Sequence, residues 1–250
     1  MISALHAVLA LFAATAPASD PKAIEIAQAM MQAMGGQDAW NKAHYVRFDF
    51  TAIMRGNAMM SRSHLWDKRT GRYRFEDHAQ NGTPAVVLFN VGTQQGVAYV
   101  GGKRMEGAAE SKAVQGAYGA FINDMYWLAM PWKWLDPGVH LKYLGQKERA
   151  GKKYDVVQLT FDKVGLTPGD RYEAYVSPSS HLMEHWDYVL QGGQKGSWDW
   201  EYTTSGGVKL ASNHVNADGN TITMGDVRIL DKVADGFFSE ASQALASLPK

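Results

Sequence analysis

The sequence predicts a mainly β (α+β) fold: a long antiparallel sheet with one helix before it and one inserted into it. Three observations carry this reading. Apolar and polar residues alternate along most of the chain, the period of a strand with one buried face. Turn residues punctuate that alternation, among them Gly151, Pro168-Gly169, Pro178, Gly192-Gly193, Gly206-Gly207 and Asp218-Gly219. The resulting pattern, about twelve strands spaced on the order of ten residues apart, is that of a sandwich or barrel.

The first helix is expected from Pro21 to Met34. Ser19 and Asp20 are suitable N-caps, Pro21 suits the first turn, and Gly35-Gly36 ends it. Ile24, Ala27, Met31 and Met34 recur at helical spacing, and Gln37 to Lys42 is long enough for one more turn. The period then changes to two. In HYVRFDFTAIM, Val46, Phe48, Phe50, Ala52 and Met54 alternate with Tyr45, Arg47, Asp49 and Thr51, which makes a half-buried strand. Arg55-Gly56-Asn57 turns the chain into MMSRSHLWD, and Thr70-Gly71 turns it again into RYRFED. AVVLFN and VAYVGGKRM form a further hairpin, so the whole reads as a meander.

Residues 111–135 interrupt it. Tyr118, Phe121, Met125, Leu128 and Trp132 form an apolar stripe at helical spacing, ended by Pro131 and by Asp136-Pro137-Gly138. Strands resume at VHLKYLGQKERA and continue through KYDVVQLTF, DRYEAYVS, HLMEHWDYVL, GSWDWEYT, VKLASNHV and NTITMGDVRIL.

The chain has 250 residues, 46% of them apolar and 20% charged, enough hydrophobic material for one real core. No shift in composition marks a linker, so residues 19–250 are expected to form a single domain. Basic and acidic residues number 25 each, so the protein has no general electrostatic hold on nucleic acid, which is not expected as a partner. The absence of cysteine removes disulfides, thiol catalysis and thiolate metal sites. Residues 1–18 read as an export signal. Ala4 to Ala14 is nearly all apolar, and Ala16-Pro17-Ala18 has the form of a cleavage site. The expected location is the bacterial periplasm or the exterior, as a monomer, with an envelope protein as a partner.

Large rings concentrate late in the chain. Trp186 and Tyr188 share one face of their strand, and Trp198, Trp200 and Tyr202 share one face of the next, with Asp199 and Glu201 opposite. A curved sheet of about twelve strands encloses more volume than one layer of side chains fills. Its concave face is filled by the inserted helix, by a ligand, or by both. No catalytic constellation compels. Asp187, Asp199 and Glu201 could serve a hydrolase of glycans or lipids, but alternating carboxylates on a strand ordinarily form a solvated outer face. His181 and His185 lie four apart on a strand, roughly 13 Å, too far to share an ion. His44, His64, His78, His140 and His214 are scattered as surface or satisfied core residues are. No metal site or cofactor is expected.

The layout resembles a known family. An exported chain that opens with one amphipathic helix, runs through a meander, inserts a helix and returns to strands is similar to the periplasmic lipoprotein-carrier superfamily, the Lol-type carriers and their outer-membrane receptors. HLWDKRTGRYRF at 64–75 resembles the carriers' Leu-Trp strand, turn and aromatic strand, with Thr70 standing where they have proline. YVSPSSHLMEHWDY and the closing ITMGDVRILDKVADGFFSEA resemble their paired strands and last strand with its Phe-containing tail, and MGGQDAWNKAHYVRFDF resembles the start of exported relatives. The resemblance implies an unclosed β-barrel, a helical lid over residues 112–132, and a cavity for acyl chains. By position, Arg69 matches the arginine that holds the carriers' lid shut. The expected function is non-enzymatic binding of an apolar or amphiphilic ligand, a lipid, acyl chain or lipoprotein. Its walls would be Phe48, Phe50, Tyr118, Phe121, Met125, Leu128, Trp132, Trp186, Tyr188, Trp198, Trp200 and Tyr202. Two alternatives stand beside it: the hydrolase, and a structural envelope protein whose interior is filled by its own lid.

Overall fold

The computed structural model describes residues 19–79, 81–162 and 164–249. The export signal expected over residues 1–18 lies outside them. Helix α1 (Pro21–Ala33) starts where Asp20 accepts a hydrogen bond from the Lys22 amide at 2.8 Å, and a short α2 (Gln37–Lys42) follows. The core-facing residues of α1 are Ala23, Ile26, Ala27, Met30 and Met31. That stripe is rotated by one position from the expected one, leaving Ile24 at its margin. Gly35 closes the helix with φ +117°, and a Cβ there would collide with the Gly207 carbonyl. Close approach of the helix end to a strand turn therefore requires glycine at this point.

Among the described residues thirteen antiparallel strands form one sheet, close to the twelve or so that the alternation suggests. The first six are β1 (Tyr45–Met54), β2 (Asn57–Asp67), β3 (Arg72–His78), β4 (Pro84–Asn90), β5 (Gly96–Val100) and the two-residue β6 (Lys103–Arg104). The rest are β7 (Val139–Arg149), β8 (Lys152–Phe161), β9 (Arg171–Val176), β10 (Met183–Val189), β11 (Lys195–Ser205), β12 (Val208–Val215) and β13 (Thr221–Leu230). Their spatial order is β6-β5-β4-β3-β2-β1-β13-β12-β11-β10-β9-β8-β7. The first and last strands thus pair at the middle, and β6 and β7 are free edges that do not meet. The barrel is unclosed.

This order dictates the path of helix α3 (Gly107–Ala129). The chain leaves the sheet at one edge, β6, and must re-enter at the other, β7. A helix of 23 residues spans about 35 Å at 1.5 Å per residue, enough to cross the concave face. A 3-10 turn (Met130–Lys133), with Pro131 in its first turn, finishes the crossing. The concave face is therefore covered by α1 and α3. Val46, Phe48, Phe50, Ala52, Leu210, Ile222, Met224 and the tryptophans of β10 and β11 bury their side chains against these helices. A second, smaller cluster joins Tyr73, Phe75, Val87, Phe89 and Ala98 to Val114, Ala117 and Ala120 of α3.

The convex face is covered in one place. After β13 the chain folds back, forms α4 (Gly236–Ser239), and packs Phe237, Leu245 and Leu248 onto Tyr45 and Leu65. Among the described residues no helix is long and apolar enough to cross a membrane.

Candidate functional site

The space between α3 and the sheet is the interior that the topology forces the chain to cover. Its wall under the second half of α3 comes from β10, β11 and β12. Register sets it: Trp186 lies opposite Trp198, and Trp200 opposite His214. All four are buried, His214 completely. Trp127 of α3, itself only partly buried, inserts among them. Its ring centre lies 5.3 Å from Trp186, 5.4 Å from Trp198, 6.3 Å from Trp200 and 5.0 Å from His214. Tyr126 contacts Tyr172 and Trp186, with ring centres 6.0 and 6.3 Å apart. These are contact distances for aromatic pairs, so the rings of α3 fill this part of the interior.

The other expected wall residues are placed as follows. Phe48 is buried and stacks on His64 with ring centres 4.3 Å apart, and Phe50, Met125 and Leu128 are buried in the main cluster. Phe121 is partly buried and joins the two clusters, edge-on to Trp66 at 5.5 Å and to Tyr73 at 4.9 Å; Tyr118 packs beside it. Tyr188 leans on Trp186, and Tyr202 donates its hydroxyl to the Met183 carbonyl at 2.7 Å. Trp132 stands apart from these rings. It stacks on Trp40 and donates Nε1–H to the Lys209 carbonyl at 3.0 Å, which pins the 3-10 turn to β12.

Arg69 lies exposed in the β2–β3 turn, and among the described residues no hydrogen bond joins its side chain to α3. Arg62 makes such a bond, and Lys68 reaches only Trp40 of α2. Arg62 of β2 donates Nη1–H to Asp124 of α3 at 3.2–3.3 Å. Lys68, next to Arg69, turns over the Trp40 ring at 3.7 Å, and Trp40 in turn stacks on Trp132. Burial lowers the Lys68 pKa to about 8.

Asp124 is fully buried at the boundary between the two clusters. Its Oδ2 lies 3.1 Å from His64 Nε2, and Asn123 donates to its Oδ1 at 2.8 Å. His64 Nδ1 is 2.8 Å from the Tyr73 hydroxyl. Burial holds the His64 pKa below its usual range, against the pull of Asp124. Burial also lowers the His214 pKa to about 3, so the ring is neutral. The Trp127 carbonyl lies beside His214 without completing a hydrogen bond.

The carboxylates weighed for hydrolysis face the other way. Asp187 and Asp199 flank His185 on the convex face, Oδ1 atoms at 3.0 Å from Nε2 and 2.7 Å from Nδ1. Hydrogen bonds from His185 and Tyr175 keep the Asp187 carboxyl below its usual range, although partial burial opposes them. Glu201 is exposed and accepts from Asn213. None of the three lines the space under α3. His181 lies in the turn before β10 rather than in a strand, with φ +56°. Two surface pockets, about 630 Å³ beside Phe161, Pro168 and Gln191 and about 280 Å³ beside Arg74 and Pro84, are not lined by α3 either.

Sequence reasoning missed Tyr126, Trp127, His214 and the Arg62–Asp124–His64 group. The signal for Trp127 was present: it sits one position from the Leu128 of the stripe. Asp124 is 62 residues from Arg62, and no local pattern announces that pairing.

No family model and no curated protein matches the chain. Solved structures do. A DUF1329 family protein from Desulfovibrio piger is 13% identical, covering 88% of this chain and 98% of its own, with a TM-score of 0.49. A protein domain assigned to outer membrane lipoprotein sorting, from Vibrio parahaemolyticus, is 11% identical over 87% and 97%, with a TM-score of 0.45. A LolA superfamily protein from Nitrosomonas europaea is 12% identical over 80% and 96%, with a TM-score of 0.43. These neighbours include proteins named for the superfamily that the chain layout resembles.

Proposed function

We propose that the protein is a non-enzymatic carrier or receptor that takes an apolar or amphiphilic molecule, such as a lipid acyl chain, between α3 and the concave face of the sheet. The observation that carries this reading is how α3 is built. With α1 it covers the main buried apolar cluster, yet it is a poor helix. Gly116 and Gly119 lie within it, and a Cβ at either would meet nothing within 4 Å. Each such glycine costs roughly 0.5–1 kcal/mol relative to alanine. The N-cap, Glu106, makes no side-chain capping bond, forgoing about 1 kcal/mol more. No packing need explains these weaknesses; a helix that must lift away from the sheet does.

Magnitudes allow the exchange. Uncovering Phe121, Tyr126 and Trp127 costs about 1.5–3 kcal/mol for each ring, while a buried acyl chain returns about 0.8 kcal/mol per methylene. Met125 and Leu128, buried on the same helix, raise the cost to about 7.5–15 kcal/mol, a range that a chain of sixteen or so carbons, at about 13 kcal/mol, can meet and short chains cannot. The three carboxylates weighed for hydrolysis lie outside this space, and Asp124, buried on α3, is tied up by Arg62 and Asn123, which favours binding over hydrolysis. The same reading puts the protein in the periplasm or outside the cell, as a monomer, after loss of residues 1–18, with an envelope protein as donor or acceptor.

Native mass spectrometry of the protein purified from its host tests this. The expected result is a population carrying one lipid-sized adduct that is lost on denaturation. The packed rings favour one other reading, a structural protein that fills its own interior. A protein that is empty as isolated, and that takes up no long-chain fatty acid or lysolipid when offered it, would establish that reading instead.

A further inference from the structure

Trp127 occupies a box that does not suit it. The box walls are Trp186, Trp198, Trp200 and His214, all on three adjacent strands and all at least nine-tenths buried. The indole Nε1 atoms of Trp186 and Trp200 and both ring nitrogens of His214 are buried with no hydrogen-bond partner among the described residues. A buried polar atom without a partner is rare in folded proteins, and four in one cluster call for an explanation. Two of the four are obligate donors, and a neutral imidazole adds a donor and an acceptor. The occupant, an indole, is a donor with no acceptor. Its ring sits at contact distance from the walls but gives the two indole donors no acceptor, and the Trp127 backbone carbonyl comes near one of the four atoms, at His214. Because Trp127 is partly exposed and sits on the weak helix while the walls sit on the sheet, the occupant is the part free to leave.

We propose that this box is the head-group subsite for a planar ring bearing a carbonyl or similar acceptor oxygen, carried on an apolar tail, and that Trp127 is a built-in occupant which the ligand displaces. The inference rests on the ligand-binding reading above and narrows it to a ligand class. The ring replaces Trp127 between the indoles, and its oxygen accepts from Trp186 or Trp200 Nε1–H. The tail runs beneath the rest of α3. A site built to hydrogen-bond its ligand discriminates strongly against the analogue lacking the acceptor, because the donors then stay unpaired.

The test uses a minimal pair, para-hexylacetophenone and hexylbenzene, which differ only by the acetyl group, with palmitate as the ring-free control. Binding to the full-length mature protein is followed through the indole N–H signals in nitrogen-15 NMR. The Trp186 and Trp200 signals are assigned with Trp186→Phe and Trp200→Phe. The expected result is a saturable downfield shift of at least one of these signals with the acetophenone and not with hexylbenzene, and about tenfold tighter binding of the ketone, the worth of one or two buried hydrogen bonds. Trp127→Ala should bind the ketone more tightly than the parent, since the internal competitor is gone. A purely structural role for Trp127 predicts weaker binding. If that variant does not fold, the parent's two signals decide. Equal affinity for the pair, or unmoved Trp186 and Trp200 signals while palmitate binds saturably, overturns the box and leaves the acyl-binding reading standing. If palmitate and the ketone both fail to bind, both are overturned.

Discussion

Two buried basic side chains, Arg74 and His214, sit on opposite faces of the sheet and are treated in opposite ways. Arg74 has no exposed surface, yet every arm of its guanidinium is used: Nε–H to Glu76 at 2.6 Å, Nη1–H to the Phe237 and Glu240 carbonyls at 3.2 and 2.9 Å, Nη2–H to the Ala241 carbonyl at 3.1 Å. Glu76 also accepts from the Leu245 amide at 2.9 Å. This network ties the C-terminal segment to β3. His214 is equally buried and has no partner at either nitrogen among the described residues. Burial of the first kind builds the fold, and burial of the second kind is tolerated by it. A satisfied polar group stabilises its surroundings; an orphaned one costs free energy and persists where something else is gained.

Substitutions sharpen that contrast. The largest effect is expected at Arg74→Met, which leaves Glu76 and three carbonyls without their donor. Denaturant unfolding should show a loss of roughly 3–5 kcal/mol. Next is His214→Phe, whose effect depends on pH. The folded pKa of His214 is depressed to about 3. Below about pH 6.5 the unfolded chain holds a proton that the folded chain refuses, so its contribution to stability falls as pH falls through that value toward 3. The variant should match the parent within about 1 kcal/mol at neutral pH and exceed it by roughly 3 kcal/mol near pH 4. The same difference in stability between variant and parent at both pH values would contradict this. Phe121→Ala should cost about 2 kcal/mol, less than the 3–5 of a fully enclosed ring, because Phe121 is only partly buried between the two clusters. A loss at the full value would mean that the junction is rigid core. The smallest effect is expected at Gly116→Ala, a gain of about 0.5–1 kcal/mol from helix propensity, together with slower ligand uptake.

How much of this was legible depended on whether the information was local. The two-residue alternation placed the inward faces of β1, β10 and β11, since parity along a strand decides its face, but β1 is not half-buried at its start: Tyr45, under the C-terminal segment, and Arg47 are buried on the other face. The inserted helix was legible as an element but not as a surface. A single apolar stripe describes a helix lying on a flat sheet. Helix α3 lies in a trough, walled on more than one side, so Tyr126 and Trp127, just around the helix from that stripe, are also enclosed. His214 was invisible because its place is set by cross-strand register with Trp200, in a strand pair that carries a bulge after Glu201. Arg62 rather than Arg69 reaches α3 because a turn residue points to solvent while the strand residue points across to the helix. The convex position of Asp187 and Asp199 followed from parity, but the imidazole between them did not.

Ligand entry requires α3 to lift from the sheet while the rest of the fold stays intact. Native-state hydrogen exchange resolved to single amides tests it most directly, because it reports the free energy of each local opening. The amides of α3 from Ala117 to Leu128 should exchange through an opening that costs several kcal/mol less than global unfolding, and saturating palmitate should change their rates. Amides of β1, β12 and β13 should exchange only through global unfolding. If the α3 amides are protected to the same level as those of β1, with and without palmitate, the helix does not open and the interior is permanently filled by its own rings.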